Sequence, residues 1–102
     1  MTDLPEPDAD ELELTTVLSA LADDVRLVIV RHLAAAGEQA CGTLELGISK
    51  ATRSHHFRVL RESGVTHTRI VGTRRLVTLR RDDLDERFPG LLDALFAATP
   101  AR

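Results

Sequence analysis

The sequence predicts a mainly α-helical domain with one β-hairpin, and three features of the chain predict it. Residues 50–63 contain no Gly or Pro and are followed by Gly64, a pattern typical of a helix with a C-terminal stop. β-Branched and apolar residues then alternate over 65–70 and again over 75–79, and the four residues between these runs predict a hairpin turn. Apolar residues at helical spacing on both sides predict further helices, about five in the whole chain.

The first part of the chain predicts an acidic tail and two helices. Two prolines and four acids among the first ten residues predict a flexible tail over 1–10. A first helix is expected from Asp10 or Glu11, and it carries an apolar stripe. Asp23 is a suitable N-cap for a second helix, which is expected to end near Ala36, just before a glycine.

The later elements are marked by glycines, caps and one proline. Two glycines shorten the segment after the second helix, so only residues 43–46 are expected to form a supporting helix. Ser49 is the expected N-cap of the long helix that follows. After the hairpin, Asp82 is the expected cap of a last helix, which Pro89 either kinks or restarts.

Length and composition indicate one domain with an aliphatic core. With 102 residues and three aromatic residues, all Phe, the chain is expected to fold as one domain over 11–98, followed by a second flexible tail at 99–102. The single cysteine excludes an intramolecular disulfide and fits a reducing compartment. No apolar run approaches the length that spans a bilayer, and the acidic N-terminus is unlike a signal peptide, so a cytoplasmic protein with no membrane partner is expected.

Positive charge is concentrated in one stretch, although the chain carries a net charge of −3. Residues 50–81 hold nine Lys or Arg and one acid, whereas residues 1–49 hold two Arg and ten acids. A phosphate backbone responds to this local field rather than to the net charge of the chain. A charge run is commonly a solvated surface, but one sign shared by a helix and the hairpin behind it favours a nucleic-acid partner.

The same stretch resembles a known family. The run S-K-A-T-R-S-H-H-F-R-V-L-R-E-S-G-V at 49–65 is similar to the recognition helix of the ArsR/SmtB repressors. The run G-T-R-R-L at 72–76 is similar to their wing, and L-A-D-D-V-R-L-V-I-V-R-H-L at 21–33 resembles an early helix motif of theirs. The resemblance covers about residues 12–97. It implies a winged helix-turn-helix fold and a sequence-specific transcriptional repressor that binds a palindromic operator in double-stranded DNA.

The resemblance also implies a homodimer formed through the first and last helices. The apolar stripes of these two helices independently suggest it, because together they offer more apolar surface than one small domain easily covers. The interface residues expected on this basis are Leu14, Val17, Leu18, Leu21, Leu91, Leu92, Leu95 and Phe96.

A recognition helix lies in the major groove with its N-terminal half against base edges, while later arginines and wing arginines suit phosphates or a minor groove. The DNA-binding residues expected are Ser49, Lys50, Thr52, Arg53, Ser54, His55, Arg58, Arg61, Arg69, Arg74 and Arg75. Arg53 departs from the family pattern, which has an apolar residue four positions before Phe57. We expect Arg53 either to extend out to a phosphate or to pair with an acid such as Glu45.

The metal sites of the family have no counterpart in this sequence. Many members bind a metal through Cys-x-Cys on the supporting helix or through Asp/His pairs on the last helix, whereas Cys41 is alone and residues 82–98 contain no His or Cys. His55 and His56 diverge by about 100° on a helix. No metal and no other cofactor is therefore expected. Control would come from another small ligand, from oxidation of Cys41 or from a sensor partner protein; the alternative is a metal-responsive repressor with a non-standard site.

Two other classes of protein, enzymes and protein-interaction modules, fit the sequence less well. No nucleophile elbow, P-loop, HExxH motif or convergent pair of acids is present, so an enzyme is not expected. A winged helix used only as a protein-interaction module is the remaining alternative. It predicts a helix and wing without net positive charge, unlike this chain.

Overall fold

The structure, a computed structural model, describes residues 4–98, so the expectations for residues 1–3 and 99–102 lie outside the described residues. Its helices and strands are α1 (Leu14–Leu21), α2 (Asp24–Ala36), β1 (Gln39–Ala40), α3 (Lys50–Glu62), β2 (Thr66–Val71), β3 (Arg74–Leu79), α4 (Arg81–Arg87) and α5 (Leu91–Ala98). Single 3-10 turns at Ala9–Glu11 and Cys41–Thr43 complete the described chain. The mainly α-helical fold with a hairpin wing is confirmed.

Both ends of α3 follow the expected capping chemistry. The Ser49 hydroxyl accepts a hydrogen bond from the backbone N–H of Thr52 at 3.1 Å. At the other end, Gly64 donates to the carbonyl of Arg61 at 3.1 Å, and Val65 donates to the carbonyl of Leu60 at 3.0 Å. This pair of bonds requires a left-handed residue after the helix, and Gly64 supplies it with φ +88°.

The second helix is also bounded as expected. The Asp23 carboxylate accepts from the backbone N–H of Arg26 at 3.0 Å, which satisfies one of the free donors in the first turn of α2. Gly37 follows the last residue of α2, and its N–H donates to the carbonyl of Leu33 at 3.0 Å. The helix therefore begins and ends at the residues that the sequence indicates.

Three local expectations differ from the structure. The supporting helix expected at 43–46 is a single 3-10 turn at Cys41–Thr43, because the two flanking glycines leave too few residues for an α-helix. Asp82 lies inside the first turn of α4 rather than at its cap, which is Arg80. Pro89 lies between two separate helices, and the second begins at Leu91 rather than at the proline.

The sheet has three antiparallel strands in the order β1-β3-β2, so β2 lies at one edge. Strands β2 and β3 pair along their whole length, from Thr66 opposite Leu79 to Val71 opposite Arg74. The turn between them has two residues, and the first, Gly72, has φ +63°. The two-residue strand β1 was not predicted, because a segment this short has no readable period.

A single aliphatic cluster fills the space between the helices and the inner face of the sheet. Phe57 and Leu60 of α3 contribute to it, and so do Val65 after the helix and Val77 of β3. Burial of this side of α3 fixes which side remains outside. Among residues 4–98, no helix combines the length and apolar character needed to cross a membrane.

The segment ahead of the first 3-10 turn lies against the wing, and we call residues 4–7 the N-terminal strap. The Glu6 carboxylate accepts from the backbone N–H of Thr68 at 3.0 Å and lies 2.9 Å from Nδ1 of His67. The flexible tail expected over 1–10 stays a prediction, and residues 4–7 of that range make these contacts in the structure. Edge strand β2 offers a free N–H and a histidine to the acid, and composition gives no sign of either.

Two arginines hold the backbone of the N-terminal strap. Nε of Arg61 donates to the carbonyl of Pro5 at 3.3 Å, and Nη1 of Arg80 donates to the carbonyl of Pro7 at 2.7 Å. The strap therefore joins the end of α3 to the start of α4.

The predicted dimer faces are only partly on the surface. Val17, Leu21 and Leu92 are each at most 3% exposed and pack inside the core of one chain, so they have no surface to give to a partner. Helices α1 and α5 are apolar on more than one side, and the sequence stripe combined their inner and outer faces. The predicted residues that retain surface are Leu14, Leu18, Leu91, Leu95 and Phe96.

Candidate nucleic-acid interface

One side of α3 is open along its whole length. The buried side carries His56, Phe57, Leu60 and Arg61. The exposed residues are Lys50, Ala51, Thr52, Ser54, His55, Arg58 and Glu62. Because most of these recur three or four positions apart, they form a continuous outer stripe of the kind that enters a groove of DNA.

Side chains in the first turns of α3 differ in their freedom. The Ser49 hydroxyl donates to Oγ1 of Thr52 at 2.9 Å in addition to capping the helix, so both side chains are engaged at the helix start. Lys50 and Ser54 are exposed, and neither has a side-chain partner within the part of the chain that the structure describes. His55 is exposed beside Arg58, whose Nη2 lies 3.3 Å from its Nδ1. Lys50, Ser54 and His55 are therefore the side chains best placed to reach outward.

Arg53, the departure from the family pattern, is half-buried. No ion pair joins it to Glu45 in the described range 4–98, and the expectation that its head extends to a phosphate stays a prediction.

Arg58 and Arg61 have opposite surroundings, although both were expected to contact DNA. Arg58 is exposed on the outer stripe, whereas Arg61 is 8% exposed and donates to the carbonyl of Pro5. The position of Arg61, four residues after the buried Phe57, is an inward one on a helix, and this spacing was the signal that sequence reasoning missed. In this conformation Arg61 therefore points away from the outer stripe, and the expectation that it reaches phosphate stays a prediction.

The wing arginines also divide into two groups. Arg74 and Arg75 follow the hairpin turn, are exposed, and form no ion pair within residues 4–98. Arg69 instead makes two bonds, of 2.8 and 2.9 Å, to the carboxylate of Glu38, and these bonds lower the pKa of that carboxyl. Arg69 is thus held by the protein in this structure.

The remaining arginines of the basic stretch lie on α4 and its cap, where acids engage them. Arg80 pairs with Asp83 at 3.0 Å, and Arg81 pairs with Asp85 at 2.9 Å and with Asp93. Fewer positive charges are therefore available on the surface than the sequence of this stretch contains. Among the cations of residues 50–81, those without an acidic partner in the described chain are Lys50, Arg53, Arg58, Arg61, Arg74 and Arg75, and of these all but Arg61 retain exposed surface.

A partly buried polar cluster joins α3 to the two helices before it. Nη1 of Arg26 lies 3.1 Å from Nδ1 of His56, a histidine that is 9% exposed. Nε of the same arginine donates to the carbonyl of Ala20 at 2.5 Å, and the Asp23 carboxylate lies 3.7 Å from the imidazole. The backbone N–H of Arg26 lowers the pKa of the Asp23 carboxyl, so its contribution to stability is present above its unfolded pKa and is lost as the pH falls through the folded value. Sequence reasoning gave these residues no joint role, because 30 positions separate Arg26 from His56.

The residues considered for sensing lie in unfavourable surroundings. Burial raises the pKa of the Cys41 thiol, which disfavours the reactive thiolate. His55 and His56 point to different environments, one exposed and one buried. No group of three or more His, Cys, Asp or Glu able to hold a metal ion occurs among residues 4–98. Whether the protein responds to metals stays a prediction.

In this chain one face of α3 packs on the core and the other is exposed, and the helix is followed by a hairpin with two exposed arginines. These features are typical of winged helix-turn-helix proteins. Residues 21–69 match a family model described as a helix-turn-helix domain. The chain is 37% identical over 90 residues to the HTH-type transcriptional regulator YceK of Bacillus subtilis (strain 168), covering 85% of this chain and 90% of that protein.

Solved structures agree with the sequence comparison. The transcriptional repressor BigR from Xylella fastidiosa is 32% identical, with a TM-score of 0.68 over 87% of this chain and 88% of its own. An ArsR family transcriptional regulator of 19% identity has a TM-score of 0.64 over 94% of this chain and all of its own, a likeness in fold. The chain belongs to the family of HTH-type transcriptional regulators, and it shares its fold with the ArsR family regulator.

Proposed function

We propose that this transcriptional regulator is a cytoplasmic repressor that binds a palindromic operator as a homodimer. The observation that carries the proposal is the outer stripe of α3. Lys50, Ser54 and His55 are exposed at the N-terminal half of the helix, where a recognition helix meets base edges. A two-fold dimer would present two such helices to half-sites about 34–36 Å apart, one turn of DNA.

The open arginines are proposed to contact the DNA backbone. Arg58 lies farther along α3, and Arg74 and Arg75 follow the wing turn, so these three suit phosphates rather than bases. Arg53, which is half-buried and has no ion pair among residues 4–98, is proposed to reach the same backbone. Arg69 is the least suited of the expected residues, because it would have to leave Glu38 to reach DNA.

The proposal is tested by binding to the DNA upstream of the protein's own gene and to a random duplex of equal length, over a series of salt concentrations. We expect tight, salt-dependent binding to the upstream DNA and weaker binding to the random duplex. Replacing Arg74 or Arg75 by Ala should weaken binding to both duplexes about equally. Each replacement should also flatten the salt slope by about one unit, because one phosphate is no longer neutralised.

A charge-matched control separates local interactions with DNA from net charge. Arg87→Gln removes one positive charge from α4, an element that belongs neither to the outer stripe nor to the wing, and should leave the salt slope unchanged. Because Arg87 donates to the Leu12 carbonyl, the variant is first shown to be folded. Absence of salt-dependent duplex binding by the folded wild-type protein would contradict the proposal and would favour a protein-interaction module. An altered sequence preference with an unchanged slope would contradict the phosphate assignment of Arg74 and Arg75.

We further propose that control does not use the metal sites familiar in this family. Cys41 has no second cysteine beside it, and α5 carries no His or Cys. The raised pKa of the Cys41 thiol also weakens the case for its oxidation. A non-metal ligand or a sensor partner protein is therefore the proposed source of control.

A further inference from the structure

We propose that Arg26 and His56 form a positioning pair that sets the orientation of α3 relative to α1 and thereby the specificity of DNA binding. The inference deepens the proposed function and rests on it. Neither side chain lies on the outer stripe, and neither is assigned a contact with DNA. Their role would be exerted through the recognition helix that His56 belongs to.

The contacts of Arg26 connect three helices through one guanidinium group. Nε donates to the carbonyl of Ala20 at 2.5 Å and Nη2 to the carbonyl of Ser19 at 3.5 Å, both in the last turn of α1. Nη1 lies 3.1 Å from Nδ1 of His56 in the middle of α3. The arginine itself belongs to the first turn of α2, where Asp23 caps the helix. Movement of α3 against α1 would therefore break at least one of these bonds.

The chemistry of the two side chains explains why this pair is specific. A guanidinium is planar and presents five donors in a fixed fork, so it fixes relative angles that the single flexible ammonium of lysine does not. A guanidinium can only donate, so a hydrogen bond between the two groups requires Nδ1 of His56 to be the acceptor. The imidazole is 9% exposed, so water is a poor replacement for the bond and a misplaced helix has no equivalent alternative.

The geometry of α3 makes small rotations consequential for DNA reading. His56 follows His55 directly, and it lies two positions after Ser54, so the buried ring fixes the angular position of two proposed base-facing residues. Base-edge contacts depend on this angle, whereas phosphate contacts of flexible arginines tolerate small changes. Disruption of the pair should therefore reduce operator binding more than binding to random DNA.

The test measures operator and random-duplex affinity for four variants of the full chain that are first shown to be folded. Arg26→Lys keeps the charge but removes the fork, and His56→Leu keeps a similar volume but removes the acceptor. We expect each to weaken operator binding about tenfold or more, equivalent to about 1.4 kcal/mol, with a smaller loss for the random duplex. His56→Asn, whose side-chain oxygen can replace Nδ1 as acceptor, should recover most of the operator affinity.

Arg31→Lys is the matched control. Arg31 lies on the same helix and donates to the carbonyl of Phe96 at 2.8 Å, a bond that joins α2 to α5. We expect Arg31→Lys to lower the melting temperature without changing the ratio of operator to random-duplex affinity. This ratio is a quantity that a merely structural role would leave unchanged.

Different failures have different meanings. If wild-type protein binds the operator and both Arg26→Lys and His56→Leu leave the ratio unchanged, the positioning pair is wrong and the proposed function stands. If the wild-type protein binds no duplex, the proposed function is wrong and this inference falls with it. If Arg26→Lys does not fold, the comparison of His56→Leu with His56→Asn decides, and equal ratios for these two would overturn the pair.

Discussion

Some arginines of the basic stretch are bonded to other groups of the protein, whereas others are open to solvent. Arg69 is bound by a carboxylate and Arg61 by a backbone carbonyl, whereas Arg58, Arg74 and Arg75 have open surface. A bound arginine must break its bonds within the protein before it meets a phosphate, which reduces its contribution to DNA affinity. Sequence alone counts all of them alike, because it does not show which acids the fold brings near.

Arg58 and Arg61 provide a direct comparison, since both lie on α3 three positions apart. Arg58→Ala should weaken binding to every duplex and flatten the salt slope by about one unit, because one fewer phosphate is neutralised. Arg61→Ala should leave the slope unchanged and lower the free energy of unfolding, because the Pro5 carbonyl is left without its donor. Salt titrations and chemical denaturation of the two variants check this. A flattened slope for Arg61→Ala would show that its side chain leaves the strap when DNA binds.

Elements were predicted well where one local signal decides them. The cap at Ser49 and the glycine at position 64 fixed α3, and alternating residues fixed the hairpin. The 3-10 turn at Cys41–Thr43 was not predicted, because its conformation depends on packing rather than on a period. The N-terminal strap was missed for a similar reason, since Glu6 is held by a backbone group of β2 that lies 62 positions away.

The C-terminal boundary of α3 should be intolerant of any side chain. Gly64 has φ +88°, and a Cβ at this position would lie 2.1 Å from Cδ2 of the buried Leu12. Gly64→Ala should therefore lower the free energy of unfolding by more than about 1 kcal/mol. Gly42→Ala is the control, because a Cβ there meets nothing within 4 Å and no left-handed backbone is required. Equal stability of the two variants in denaturant titrations would argue against this account of the helix end.

The N-terminal strap should protect the edge of the wing. Glu6→Ala removes the acceptor of the Thr68 N–H, so hydrogen exchange of that amide should accelerate and stability should fall by about 1–3 kcal/mol. Glu11→Ala is the matched control, since this exposed acid accepts from the Asp8 N–H and does not reach the wing. Unchanged exchange at Thr68 in Glu6→Ala would show that the strap does not hold the wing edge in solution.

At the scale of the whole molecule, α1 and α5 leave apolar side chains exposed on their outer faces. Leu14 and Leu18 are 46% and 41% exposed, four positions apart on one helix face. Leu91 and Leu95 are half-buried against the core on α5. Two-fold dimers commonly cover such self-complementary apolar patches, in agreement with the predicted homodimer.

Leu18→Asp should dissociate the proposed homodimer. A charge at a covered apolar surface is costly, while the monomer fold tolerates the change because Leu18 already has open surface. Leu95→Asp should also dissociate the dimer, but its packing against the core makes it the less selective variant. Light scattering at micromolar concentration measures the outcome, with Val28→Asp, an exposed position on α2, as control. A wild-type protein that is monomeric throughout this range would contradict the dimer.

Operator binding by the dimer should not depend on transition metals. A high-affinity transition-metal site needs three or four ligands converging at about 2.0–2.3 Å, and residues 4–98 bring no such group together in one chain. The four histidines are distributed over α2, α3 and β2, and the thiol of Cys41 is held in its neutral form by burial. Metal-free protein should therefore already bind the operator, and zinc, nickel or cobalt should change the operator affinity by less than about tenfold, or 1.4 kcal/mol of coupling. Calorimetric titration with each metal, followed by operator binding with the metal and with a chelator, checks both statements. Submicromolar binding of about one ion per subunit, together with a larger change in operator affinity, would instead establish a site assembled across the dimer from ligands that are separate in one chain.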